Sequence, residues 1–275
     1  MKRFIFFCTA MFAFTFASFA QRHFEMPLWN DGNGICNDSD AADAILLCYL
    51  ADQPNGEAIV VCPGGGYHNL CYDYEGYQFA PIFNNKGISI FVLKYRLPKE
   101  RNTVPLTDAQ QALTIVRKNA TKWKVNPNAI GIMGSSAGGH LASTAATHFT
   151  NADNRPDFQI LLYPVITMDP TFTHKGTHNN LIGKNPTKEM ETLYSNEKQV
   201  TENTPPAFIV LSCTDKIVPV HNSLIYVDAL AQKGVQCSLH MYPEGYHGFG
   251  AHNTFKDYDI WIPELLRWLD KEVKH

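Results

Sequence analysis

Several things are scarce or missing in this chain. Lysine and arginine form no run: 23 basic against 26 acidic side chains give a formal net charge of −3, and only 18% of residues are charged. A nucleic-acid partner needs a basic patch or stripe, so none is expected. No glycine-rich stretch leads into Gly-Lys-Ser or Gly-Lys-Thr, which removes the usual phosphate-cradling loop. No internal repeat and no linker divides the sequence, so a single domain is expected. No apolar run is long enough for a membrane span. The nearest approach, residues 4–16, follows Lys2 and Arg3 and precedes Ser18-Phe19-Ala20. Basic start, apolar middle and small-x-small end read as a signal peptide over residues 1–20, with an uncleaved anchor as the alternative. Cys8 lies inside the run and not at its end, which argues against a lipid anchor.

Cleavage before Gln21 would remove two positive charges and leave residues 21–275 as one exported domain, periplasmic or secreted, with no stable membrane insertion. Six cysteines would remain. Cys48, Cys62, Cys213 and Cys237 sit in or beside strand-like apolar runs, where a free thiol is an ordinary hydrophobe. Cys36 and Cys71 stand in loop-like sequence and are the candidates for a disulfide, which export permits.

What is present is an alternation of strand and helix patterns. Residues 45–50 and 58–62 read as strands close together, expected as antiparallel neighbours. Residues 74–84 read as a helix with Tyr77, Ala80, Ile82 and Phe83 inward. The run 88–93 is continuously apolar, as a strand covered on both faces should be. A helix over 105–123 has Pro105 in its first turn and Leu113, Val116 and Ala120 at helical spacing. Strands follow at 129–133, 158–163, 207–212 and 235–242, and helices at 219–232 and 258–273. Such alternation implies an α/β fold: a mostly parallel central sheet with helices on both faces. Residues 164–205 break the pattern. They are polar and carry at most a short helix near 187–195. They read as a small lid or substrate-facing insertion, or else as a plain surface excursion. His174 and His178 are spaced for a metal on a helix, but Gly176 between them argues against that helix, and no metal site is expected.

Directly after the strand at 129–133 stands Gly134-Ser135-Ser136-Ala137-Gly138, with helix-forming sequence behind it. This is G-x-S-x-G between a strand and a helix, a turn that exposes a strained serine and needs neighbours without a Cβ. Ser136 is the candidate nucleophile, and Ser135 should point elsewhere. A serine hydroxyl needs a histidine to take its proton and an acid to orient that histidine. On this architecture the acid comes next in the chain, then the histidine. Asp215 fits the acid, in a loop after a strand; its alternative is a turn-capping aspartate, and Asp228 is a rival inside a helix. His247 fits the base, in the glycine-rich loop Y-H-G-F-G after the last strand, with His252 and His240 as rivals. The glycine run Cys62-Pro63-Gly64-Gly65-Gly66-Tyr67 follows another strand. Backbone N–H groups there can meet an oxyanion, and Gly65, Gly66 and Ala137 are the candidate donors.

With these pieces in place the chain resembles the α/β-hydrolases. More narrowly, it resembles their acetyl-xylan/feruloyl esterase-like (BD-FAE-like) branch, related to hormone-sensitive-lipase-type esterases. The matching stretches are C-P-G-G-G-Y at 62–67, Y-E-G at 74–76, L-K-Y-R-L-P at 93–98, G-I-M-G-S-S-A-G-G-H-L-A at 131–142, T-D-K-I-V-P-V at 214–220 and Y-H-G-F-G at 246–250. Pro63 stands where many relatives have a histidine, and Ser135 replaces a bulkier residue. The resemblance implies an exported bacterial esterase acting on acylated oligo- or polysaccharide, such as acetylated xylan, by an acyl-enzyme route without cofactor or metal. Feruloyl removal is the main alternative, with a serine peptidase and a non-catalytic carbohydrate-binding protein behind it. Glu75 and Arg96 are expected near the sheet edge, as an ordinary structural pair, or else as an ion pair under the oxyanion loop or in contact with sugar. Tyr67, Tyr72, Tyr74 and Tyr246 are candidate sugar-stacking faces, or simple packing.

Overall fold

The computed structural model describes residues 22–29, 32 and 36–272. The expected signal peptide lies outside the described residues. One sheet holds eight strands: β1 (Arg22–Pro27), β2 (Ile45–Leu50), β3 (Ala58–Cys62), β4 (Ser89–Lys94), β5 (Ile130–Ser135), β6 (Gln159–Leu162), β7 (Ala207–Ser212) and β8 (Cys237–Tyr242). Their spatial order is β1-β2-β4-β3-β5-β6-β7-β8. β1 runs antiparallel to β2 and β2 antiparallel to β4, and every pair from β4 to β8 is parallel.

Five of the six inner strands explain their own sequences. β3, β5, β6 and β7 are buried at every position, and β4 at all but its last, which requires runs that are apolar throughout. β8 lies at the edge and is only partly buried. One expectation fails here. The strands at 45–50 and 58–62 are not neighbours, because β4 is inserted between them and takes β2 on its free edge. The intervening helix carries the chain from β3 back to a parallel position beside it, as parallel pairing demands.

α-Helices accompany this sheet. They are α1 (Phe79–Asn84), α2 (Val104–Lys118), α3 (Ala120–Trp123), α4 (Ala137–Thr147), α5 (Lys175–Ile182), α6 (Lys188–Leu193), α7 (His221–Gln232) and α8 (Tyr258–Glu272). The expected helix at 74–84 is a π-type turn, Asp73–Tyr77, followed by α1; Gly76 has non-helical angles inside the turn. Ala80 and Phe83 face inward as read, Ile82 is half-buried, and Tyr77 is exposed. The single helix expected at 105–123 breaks at Asn119, and Lys124 in the left-handed region ends its second piece. α8 buries Trp261, Ile262, Leu265 and Leu269, the stripe expected of a closing amphipathic helix.

The segment 164–205 joins β6 to β7 and is more ordered than its composition suggests. It holds both α5 and α6 and buries Val165, Ile166 and Met168. Gly176 is no obstacle to α5. It lies in the first turn, where its entropic cost is offset by the cap that His174 provides by accepting from the Thr177 N–H. The six described cysteines are all free. Cys36 accepts a hydrogen bond from Arg96 and Cys71 one from Asn69, so the two do not bridge.

Candidate active site

Register puts five strand ends in line. Cys62 at the end of β3 lies opposite Gly134 in β5, Ser135 opposite Leu162 in β6, and Ser212 in β7 opposite Tyr242 in β8. The loops after β3, β5, β7 and β8 therefore meet at one carboxyl edge, where sites form in such sheets.

At the β5–α4 turn Ser136 has φ 54° and ψ −120°, a strained conformation for any residue but glycine. The turn is held by contacts that only glycine permits. A Cβ on Gly134 would overlap the backbone of Gly138, and one on Gly138 would overlap the carbonyl oxygen of Cys62. Ser135 is buried and does not line the cavity beside Ser136.

Ser136 Oγ donates to His247 Nε2 at 2.8 Å, and His247 Nδ1 donates to Asp215 Oδ2 at 2.7 Å. The carboxylate can only accept, so it fixes the proton on Nδ1 and leaves Nε2 free to take one. Asp215 does two things at once. Its Oδ2 meets the histidine, while Oδ1 accepts from the N–H groups of Ile217 and Val218 at 2.8 and 3.0 Å. The turn-capping alternative is thus also true, and it is what aims the carboxylate. The rivals are engaged elsewhere: Asp228 with Gln232, His240 with Ser238 and Glu264, and His252 stacked on Tyr74.

Gly65 and Gly66 carry positive φ angles of 127° and 65° and line the same cavity of about 350 Å³ as Ser136 and His247. Their N–H groups make no hydrogen bond among the described residues. Ala137 opens α4, so its N–H is one of the unpaired donors at a helix start. The third glycine, Gly64, is committed: its N–H donates to Glu75 Oε2 at 2.9 Å. A wider hollow of about 830 Å³ beside Leu50 and Gly87 contains none of these residues.

Glu75 is 2% exposed and does not pair with Arg96. Its other oxygen accepts from the Tyr163 hydroxyl at 2.8 Å, and that hydroxyl accepts from the Gly250 N–H at 2.9 Å. Burial pushes its carboxyl above the ordinary range, while Tyr163, the charge of His247 and the Gly64 N–H pull it back. Glu75 therefore ties the glycine loop, through Tyr163, to the loop of His247. Tyr163 also sets its ring edgewise against the imidazole at 4.9 Å. Arg96 turns the other way. It pairs with Asp108 at 2.6 Å and with Asp38 at 2.7 Å, and holds the segment before β2 instead of the site. Asp108, fully buried on α2, is the nearer carboxylate once β4 ends.

The tyrosines separate as well. Tyr67 is 3% exposed and gives its hydroxyl to His140 Nδ1 at 3.0 Å, so its ring offers no face to a sugar. Tyr246 is exposed but outside the cavity lining, and Tyr74 is the one of the four that lines it. Two contributors from the insertion escaped the sequence reading. Asn180 donates to the Gly66 carbonyl at 2.8 Å, and His174, weighed there only as a metal ligand, lines the cavity. His178 faces Asn179 instead, and among the described residues no group of three His, Cys, Asp or Glu is placed to hold a metal ion. Tyr163 had one usable signal, its place immediately after a buried parallel strand.

A mostly parallel sheet carrying a serine on the sharp turn between a central strand and the helix behind it defines an α/β-hydrolase. Comparison with known proteins agrees and narrows the class. The BD-FAE family model matches residues 47–230, and the chain belongs to that family. It is 44% identical over 237 residues to an acetylxylan esterase of Xylanibacter ruminicola, covering 85% of this chain and 49% of that protein. It is 39% identical over 223 residues to endo-1,4-beta-xylanase B of Butyrivibrio fibrisolvens, covering 76% of this chain and 35% of the relative. The chain thus spans about half and about a third of these two relatives. Among solved structures, an acetyl ester-xyloside bifunctional hydrolase from Caldicellulosiruptor lactoaceticus superposes with a TM-score of 0.85 at 34% identity, covering 92% of this chain and 98% of that one.

Proposed function

We propose that the protein is an exported serine carboxylesterase that removes acetyl groups from plant polysaccharide such as acetylated xylan. The observation that carries the reading is the Ser136–His247–Asp215 row, with contacts of 2.8 and 2.7 Å, opening onto a cavity that Gly65 and Gly66 also line. The choice of acetyl follows the names of the acetylxylan esterase and the acetyl ester-xyloside hydrolase that the chain resembles. Export follows the pattern of residues 1–20.

The chemistry is acyl transfer in two halves. Ser136 Oγ attacks the ester carbonyl carbon as its proton passes to His247 Nε2. The carbonyl oxygen becomes an oxyanion and accepts from the N–H groups of Gly65, Gly66 and Ala137. Each such donor is worth about 3 kcal/mol, because it is in place before the charge appears. Asp215 holds the imidazolium. Collapse breaks the bond to the sugar oxygen, which leaves with the proton from His247. Water then gives a proton to His247 and adds to the acetyl-serine; collapse returns the Ser136 hydroxyl and releases acetate.

The test is acetate release from acetylated xylo-oligosaccharides by residues 21–275, beside ferulate release from feruloylated ones, with Ser136→Ala in parallel. Acetate release that falls about 10⁶-fold in the variant is the expected result. Ferulate release alone would move the acyl group. Release of neither would remove the polysaccharide from the assignment.

A further inference from the structure

We infer that His174, on the insertion, is a substrate-binding residue that donates a hydrogen bond to the alcohol side of the ester, on a sugar oxygen next to the bond being cleaved. The inference rests on the deacetylase reading and adds to it a determinant of which esters the site prefers.

The first argument is geometric. His174 caps α5, its Nδ1 accepting from the Thr177 N–H at 3.3 Å and lying 2.8 Å from the Thr177 hydroxyl. A ring nitrogen that accepts a backbone N–H carries no proton, so the neutral ring has its hydrogen on Nε2. That nitrogen makes no hydrogen bond with any described residue and is not sealed from solvent. The ring lines the same cavity as Ser136 and His247. A Cβ built on Gly66 would lie 3.8 Å from its Cε1, which sets the imidazole over the glycine loop. A Cβ on Gly176 would come within 3.0 Å of the same atom, so the ring's seat depends on that glycine.

The second argument is chemical. Burial and then the neighbouring charge of His247 hold the His174 imidazole below its ordinary range, so near neutral pH it is the uncharged tautomer just described. An acetyl group offers only the ester oxygens, and the carbonyl oxygen is taken by the amides of the glycine loop and α4. A further donor over the glycine loop is matched by a partner rich in oxygens, which the sugar supplies and the methyl does not. A site with a donor placed for a substrate oxygen discriminates against esters lacking it, because the donor is then left without a partner.

The test separates the donor from the cap. His174→Asn keeps a side-chain acceptor for the Thr177 N–H, since asparagine is among the best N-caps, but falls short of the cavity. The value of kcat/KM is measured on acetylated xylo-oligosaccharide and on 4-nitrophenyl acetate, whose alcohol carries no sugar. The expected result is a loss of about tenfold on the oligosaccharide, the size of one neutral hydrogen bond, with less than about twofold on the nitrophenyl ester. His174→Gln, which extends an amide donor further into the cavity, should recover part of the loss. Equal losses on both substrates, or none on either, would overturn the inference while leaving the deacetylase reading intact. Wild-type protein that cleaves the nitrophenyl ester but not the oligosaccharide would overturn both.

Discussion

The cavity at Ser136 has a floor and a roof built on different principles. The floor consists of loops leaving β3, β5, β7 and β8, and its groups are fixed by backbone that has no alternative. Ser136 sits at φ 54° between glycines whose missing Cβ atoms make the turn possible. Glu75 locks two of the loops through Gly64 and Tyr163. The roof is α5 of the insertion, and it reaches the cavity through single side-chain hydrogen bonds, as in Asn180 to the Gly66 carbonyl. The difference teaches where precision is needed. The proposed reacting atoms stand on turns pinned by the sheet, and the proposed recognition of the sugar stands on a helix joined to them by a side-chain hydrogen bond.

The largest effect should come from the floor. Asp215→Asn replaces the acceptor that fixes the proton on Nδ1 and favours the wrong tautomer. A fall of about 10⁴ in kcat is expected, with melting temperature nearly unchanged; a fall below about tenfold would show that the row does not act as a unit. Next comes the seam between floor and roof. His140 on α4 donates through Nε2 to the Tyr194 carbonyl at 2.8 Å, while Asn196 donates to the His140 carbonyl at 3.1 Å. Burial pushes this imidazole down to about 4, against the pull of the Tyr194 carbonyl. Below about pH 6.5 the unfolded chain takes up a proton that the native seam refuses. Stability should therefore be full above pH 6.5, fall as pH drops toward 4, and flatten below that, with a total of about 3 kcal/mol. Urea unfolding at several pH values checks this. His148 and His174 are shifted down by burial too, so the decisive comparison is His140→Gln, whose decline should be shallower.

Smaller still is Glu75→Gln. It keeps one acceptor but weakens the tie between the glycine loop and Tyr163. A loss of about 10- to 100-fold is expected in kcat, with KM moving by less than about twofold, because a charged hydrogen bond positions the floor without touching substrate. A matched rise in KM would instead place Glu75 in contact with sugar.

Legibility in the sequence follows the same division. The row of Ser136, Asp215 and His247 could be read because its residues are dictated by backbone geometry and chain order, both of which leave local marks such as G-S-S-A-G and Y-H-G-F-G. The central strands could be read because burial on both faces demands continuous apolar runs. Strand order was misread at β2 and β3, since nearness in sequence says nothing about a strand inserted later. The Glu75–Arg96 pair was misread for a similar reason. Both charges are buried, but each is satisfied elsewhere: Glu75 by Tyr163, 88 residues away, and Arg96 by Asp108, 12 residues on in the helix after β4, and by Asp38 on the segment before β2. The roof was hardest. α5 begins with a histidine cap and a glycine, which is poor helix sequence. Its hold on Gly66 is a contact across 114 positions with no local mark.

The smallest effect tests the roof from its other contact. Asn180→Ala removes the hydrogen bond to the Gly66 carbonyl and leaves that oxygen free to find water at the cavity mouth. Because a solvated acceptor is cheap to leave, the loss should be no more than about fivefold. It should fall equally on acetylated xylo-oligosaccharide and on 4-nitrophenyl acetate, since both use the same glycine loop. That uniformity contrasts with the selective loss expected of His174→Asn, although both side chains come from one helix. A selective loss in Asn180→Ala would mean that α5 moves as one body over the substrate. The roof would then act through its position, and the division between a reacting floor and a recognising roof would give way to a single coupled enclosure.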